Sequence, residues 1–170
     1  MNNKGSARDV LFIAVILFGL AIGFFTIHYM MGETVDRLIA NPVINQSSSA
    51  VEAFEGIDIM TSRLDYVIFG VFIALVLGLI ITSWFIGGNP IYMFIYFIIV
   101  VITVVISTVL ANTWEMITQG DIAATVFGTA SFNAFPLTNN LMLYLPIYIS
   151  IIGFIGIVVM FAKPAIQGEG

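Results

Sequence analysis

The chain has 170 residues, of which 60% are hydrophobic and 9% charged, with a mean hydropathy of +1.09 and a net charge of −5. A soluble domain carries about 25% charged residues, so this chain lacks the means to solvate its own surface, and its negative balance disfavours nucleic acid as a partner. Cysteine is absent, which excludes thiolate catalysis, thiolate metal ligation and disulfides.

The composition predicts an all-α integral membrane protein, one domain over residues 1–170, with the lipid bilayer as its surroundings. The first span is expected over residues 10–31, uncharged apart from His28. Lys4 and Arg8 precede it as they would a signal peptide, but the apolar run exceeds the usual 7–15 residues or so and no small-x-small cleavage site closes it. A retained anchor is expected.

Residues 32–65 form the first long connection. Asn41-Pro42 signals a turn, and Ser49-x-x-Glu52 has the spacing of a capping box. Ala50, Phe54, Ile57, Met60 or Thr61, and Leu64 then recur at helical spacing, which predicts an interfacial amphipathic helix that lies on the membrane or runs straight into the second span.

From residue 66 to residue 114 no acidic or basic side chain occurs. As one helix that run would extend roughly 73 Å, far beyond an apolar core of about 30 Å. The chain must turn inside it. Gly87, Gly88, Asn89 and Pro90 supply the turn: glycine accepts a left-handed cap, Asn89 caps the next helix and Pro90 fits its first position. A tight hairpin of residues 66–86 against residues 90–111 is predicted.

The second connection, residues 113–140, is unusually apolar, with Ile122, Val126, Phe127, Phe132 and Phe135 among small residues. Asp121 would cap a short interfacial helix there. Phe135-Pro136 ends the segment, and Thr138, Asn139 and Asn140 offer caps for a fourth span over residues 141–162. The expected architecture is a four-helix membrane bundle. Lys4, Arg8 and Lys163 against Arg37 and Arg63 place both termini and the Gly-Gly-Asn-Pro turn on the cytoplasmic side, with the two longer connections opposite. Trp84, Trp114, Tyr66, Tyr92 and Tyr144 lie near span ends, as belt aromatics do.

Chemistry is sparse. His28 alone makes no metal site, and a proton relay through it would need Glu33, Glu115 or Asp65 to converge. The polar residues inside spans, Thr26, Thr82, Ser83, Thr103, Ser107, Thr108 and Ser150, can each return a hydroxyl to a carbonyl one turn earlier. No catalytic residue, metal ligand or cofactor-binding residue is expected, and no enzymatic activity. Packing is better marked: Gly19 and Gly23, Gly70 and Gly78, and Gly153 and Gly156 form glycine pairs, each on nearly one helix face, that let backbones approach within the chain or between copies.

Asn139-Asn140-Leu141-Met142-Leu143-Tyr144-Leu145-Pro146-Ile147, the ending Met160-Phe161-Ala162-Lys163-Pro164, and the hairpin's Asn89-Pro90-Ile91 and Ala111-Asn112-Thr113-Trp114-Glu115 carry a resemblance. The pattern resembles small multi-pass membrane proteins of tailless icosahedral bacteriophages with a lipid layer beneath the capsid, the corticovirus-like and finnlakevirus-like groups. It covers roughly the last 85 residues of the chain. It implies a structural viral protein of the virion's internal membrane, and of the bacterial inner membrane before assembly. Capsid proteins, other membrane proteins and further copies of itself would be its partners. Two other readings follow from the residues: a small oligomeric channel or holin-like pore, and an accessory subunit of a larger membrane complex.

Overall fold

The computed structural model describes residues 6–86, 90–119 and 135–167, and every regular element among them is helical. In chain order these are α1 (Ser6–Ile39), α2 (Pro42–Asn45), α3 (Ser48–Ser62), α4 (Leu64–Ile86), α5 (Pro90–Gln119), α6 (Pro136–Leu143) and α7 (Leu145–Gln167). Four stretches are long and apolar enough to cross a membrane. They lie in α1, in α3 and α4 taken together, in α5 and in α7.

Two helices outrun the spans expected of them. The 34 residues of α1 extend about 51 Å. Charged residues end its apolar run without ending the helix, because Glu33 and Arg37 stand one turn apart and join through a 2.9 Å ion pair. Likewise α5 continues past residue 111 to Gln119. Thr113 and Thr118 there return their hydroxyls to the carbonyls of Val109 and Trp114, at 2.9 Å each.

The first connection forms as a short helix and a longer one. Asn41 caps α2 by accepting from the Val43 amide at 3.0 Å, with Pro42 in the first turn. The capping box expected at Ser49 is not formed. α3 begins two residues earlier than that box implies, at Ser48 with Ser47 at the cap, and the Ser47 and Ser49 hydroxyls meet each other at 3.3 Å. Only Arg63 separates α3 from α4, and its φ of −74° and ψ of −10° are helical. Of the two expected courses for this segment, the chain therefore runs from α3 directly into the second span. α3 packs on the C-terminal part of α1, where His28 meets Thr61.

Burial follows one narrow stripe per long helix. In α5 the buried residues are Met93, Tyr96, Val100, Thr103, Ser107, Ala111, Trp114 and Thr118, a spacing of three or four that keeps one face inward. Phe94, Ile98, Ile102, Val105 and Val109 cover the opposite face and are exposed. α5 packs chiefly on α7 and α1, and α4 chiefly on α7 and α1. The predicted direct pairing of residues 66–86 with residues 90–111 is thus not the main contact of either helix. Their joining turn, Gly87, Gly88 and Asn89, lies outside the described residues, while Pro90 opens α5 as its spacing predicts.

The fourth span departs from expectation at its start. Pro136 begins α6 ahead of Thr138, Asn139 and Asn140, so these lie within a helix and not before one. α6 ends at Leu143 with Tyr144 as its C-cap, and α7 starts at Leu145 with Pro146 as its second residue. Pro146 has no amide hydrogen to continue the ladder, which accounts for the break. The helix expected from Asp121 lies outside the described residues, as do Ile122, Val126, Phe127 and Phe132.

Candidate functional site

The polar and aromatic residues that the connections contribute meet at one place, where α1, the α3–α4 junction, α5 and the start of α6 come together. Asp65, only 2% exposed, lies at its centre. Its Oδ2 accepts from the Leu137 amide at 3.0 Å, and its Oδ1 accepts from the Thr138 amide at 2.7 Å and the Thr138 hydroxyl at 2.6 Å.

Local sequence explains why α6 needs this carboxylate. The first amides of a helix have no partner inside it, and a Ser, Thr, Asp or Asn at the cap normally accepts from them. Here the cap position holds Phe135, which has no side-chain acceptor, followed by Pro136, which has no amide hydrogen. The next two amides belong to Leu137 and Thr138, and both donate to Asp65. A residue in the first turn of α4 therefore caps a helix that begins more than seventy positions later. The anion lies beside two helix N-termini, its own and that of α6, where the partial positive charge of the backbone favours it.

Around the carboxylate the aromatic rings interlock. Phe135 is buried against Phe25 at 6.1 Å and against the His28 ring at 5.1 Å, both edge-on. Phe25 also meets Trp114 at 6.3 Å, edge-on. The Trp114 indole Nε1 donates to Asn139 Oδ1 at 2.9 Å, tying α5 to α6. Trp114 is 1% exposed, so it is a core residue and not the belt aromatic expected of it. Trp84, Tyr66, Tyr92 and Tyr144 are exposed, as that role requires. In α6, Asn140 Oδ1 accepts from the Tyr148 hydroxyl at 3.0 Å and so bridges the break to α7.

His28 is buried, and its Nδ1 lies 3.0 Å from the Thr61 hydroxyl; the tautomer decides which of them donates. Of the carboxylates that sequence placed within possible reach of it, Glu33 pairs with Arg37, Glu115 is exposed and Asp65 holds α6. The structure joins His28 to a hydroxyl rather than to any of these three. Among the described residues no three histidines or carboxylates converge in a metal-binding arrangement.

The hydroxyls inside the spans divide into two groups. Thr26, Thr103, Thr108 and Ser150 donate to the carbonyls of Ile22, Ile99, Val104 and Pro146, at 2.7 to 3.0 Å. Thr82 and Ser107 also bond their own helix, to Gly78 and Val104. Ser83 differs. Its Oγ and the Tyr96 hydroxyl are fully buried and neither meets hydrogen-bond geometry with a partner. Both converge on Gly156.

The glycine pairs separate in the same way. A Cβ placed on Gly156 would collide with the Tyr96 hydroxyl and stand 3.3 Å from Ser83 Oγ, and one on Gly153 would collide with a Val100 methyl. At Gly19, Gly23, Gly70 and Gly78 it would meet nothing within 4 Å. Among these six glycines, close approach within the chain is thus confined to the α7 pair.

Comparison of the chain with protein-family models, curated proteins and solved structures finds no match.

Proposed function

We infer that this chain is a multi-pass integral membrane protein with a structural role: a four-helix bundle that embeds in a lipid layer and presents its connections to neighbouring proteins. The observation that carries this reading is the use made of Asp65. Among the described residues the one buried carboxylate, Asp65, locks α4 to α6, and Trp114, Asn139, His28 and Thr61 add further ties between elements. Exposed apolar residues cover the outward faces of all four long helices, which is stable only where hydrocarbon replaces water. Beyond the spans, the outer end of α1 with α2 and α3 forms a polar projection bearing Glu33, Asp36, Glu52 and Glu55, all exposed. That projection is the surface for protein neighbours. The narrower placement, in the internal membrane of a phage virion against capsid proteins, rests on the resemblance of the hairpin and fourth span alone.

A second reading, an oligomeric channel, is favoured by one observation. Gly19, Gly23, Gly70 and Gly78 leave room at the surface of the chain where another copy would fit closely. Proteoliposomes separate the two. A structural protein leaves dye and potassium gradients as tight as in protein-free vesicles. Leakage that rises with protein content, and that Gly19→Leu with Gly23→Leu abolishes while reducing oligomeric mass, would establish the channel instead.

Placement in the bilayer has its own test in tryptophan fluorescence. Trp84 is 41% exposed and Trp114 is buried. Brominated acyl chains should quench the wild-type protein substantially, and the Trp84→Phe variant by less than about one-third as much. Equal quenching of both would mean that lipid reaches Trp114.

A further inference from the structure

A groove of about 290 Å³ runs between α1 and α4, and its polarity changes along its length. Phe12 and Ile16 of α1 and Leu75 and Gly78 of α4 line its apolar part, while Asp9 and Thr82 stand at the end nearer the start of the chain. Gly78 keeps it open, since no neighbouring atom lies within 4 Å of where a Cβ would be. The volume is close to the small end of ligand cavities, which suits one acyl chain and not a whole lipid.

Among the described residues the polar end offers acceptors only. Among the described residues no donor reaches the partly buried Asp9 carboxylate, and the one ion pair is that of Arg37 with Glu33. Thr82 donates its hydrogen to the Gly78 carbonyl, leaving the oxygen lone pairs facing outward as acceptors. A primary ammonium carries three N–H donors and a positive charge, and so complements both groups. A quaternary ammonium has the charge but no donor, and an anionic headgroup is repelled by Asp9. Trp84, two residues beyond Thr82 and exposed, marks this end as headgroup level, with the apolar part of the groove directed toward the bilayer interior.

We propose that this groove is a lipid site selective for a phospholipid with a primary-amine headgroup, its ammonium on Asp9 and Thr82 and one acyl chain along Phe12, Ile16, Leu75 and Gly78. The proposal rests on the membrane reading and goes beyond the structural role.

The test uses the full chain in bilayers of equal phosphatidylethanolamine, phosphatidylcholine and phosphatidylglycerol with identical acyl chains. After gentle detergent extraction, native mass spectrometry measures the lipid retained. Wild-type protein should hold the amine lipid about fivefold over either other class, the ratio that one favourable partly exposed ion pair gives. Asp9→Asn should bring that ratio to about one with lipid still held, removing selectivity alone. Gly78→Leu should fill the groove and release lipid of every class, with the melting temperature at or above that of the wild type. Retention by wild type in proportion to supply, or an unchanged preference in Asp9→Asn, overturns the site while leaving the membrane reading intact. A Gly78→Leu protein that changes oligomeric mass and not lipid content would assign the groove to a second copy and overturn it too. Failure of wild type to retain any lipid would contradict both the site and the membrane reading.

Discussion

Replacing Asp65 with alanine should lower the stability of the folded chain in detergent micelles by about 3 kcal/mol, more than any other single truncation of a polar side chain. The substitution leaves the buried Thr138 amide and hydroxyl and the part-buried Leu137 amide without an acceptor. A lost cap ordinarily costs about 1 kcal/mol, and each donor left unsatisfied in the core adds about 1–3 kcal/mol less whatever relaxation recovers. Asp65→Asn should cost about half as much, since one amide oxygen can still serve Thr138 while the amide nitrogen confronts Leu137. Thr138→Val should fall below both, because it removes one donor and leaves the carboxylate its two backbone bonds. Denaturant titration followed by far-ultraviolet circular dichroism gives the order. A stability change within about 0.5 kcal/mol for Asp65→Ala would show that α6 does not depend on the carboxylate.

The second large effect lies where α7 meets α5. Gly156→Ala should destabilise by about 2 kcal/mol, an overpacking cost, because a methyl group there runs into the hydroxyl of a fully buried tyrosine. Tyr96→Phe alone should be neutral or mildly stabilising, as it deletes a buried hydroxyl that lacks an aligned partner. Combined, the two changes should cost clearly less than their sum, since the phenyl ring leaves room for the methyl. A double-mutant cycle measures that coupling, expected at about 1 kcal/mol or more. Gly23→Ala serves as the contrast: with open space around it, the gain in helix propensity of up to about 1 kcal/mol should appear as unchanged or higher stability. Additive Gly156→Ala and Tyr96→Phe effects would refute the notch.

These expectations depend on features that differ in how openly the residues declare them. The four stretches long and apolar enough to cross a membrane were legible because charge disappears from them, as hydrocarbon would require. Where the helices end was not, for charged residues mark the limit of the apolar run and not that of the helix. Glu33 and Arg37 close one run and at the same time support another turn of α1. The inward face of α4 was also hidden, because its residues are apolar all round and only packing on α1 and α7 selects Ile68, Phe72, Leu79 and Ser83. Gly153 and Gly156 could not be told from Gly19 and Gly23 by spacing, which is the same kind of signal whether or not a partner is present. Asp65 left a readable trace that went unused. Phe135-Pro136 starts a helix with no capping side chain of its own, so an acceptor had to come from elsewhere, and few carboxylates lie close to a span end.

Spin-label accessibility along α5 tests the central claim most directly, that hydrocarbon surrounds the outward faces while the inward stripe is packed protein. Single cysteines, absent from the natural chain, would carry nitroxides at Phe94, Ile98, Ile102, Val105 and Val109 on one face and at Val100, Thr103 and Ser107 on the other. In bilayers the first set should collide readily with oxygen and scarcely with a water-soluble nickel chelate, and the second set with neither. Strong nickel collisions at Ile98, Ile102 or Val105 would place water against the middle of α5 and contradict the account.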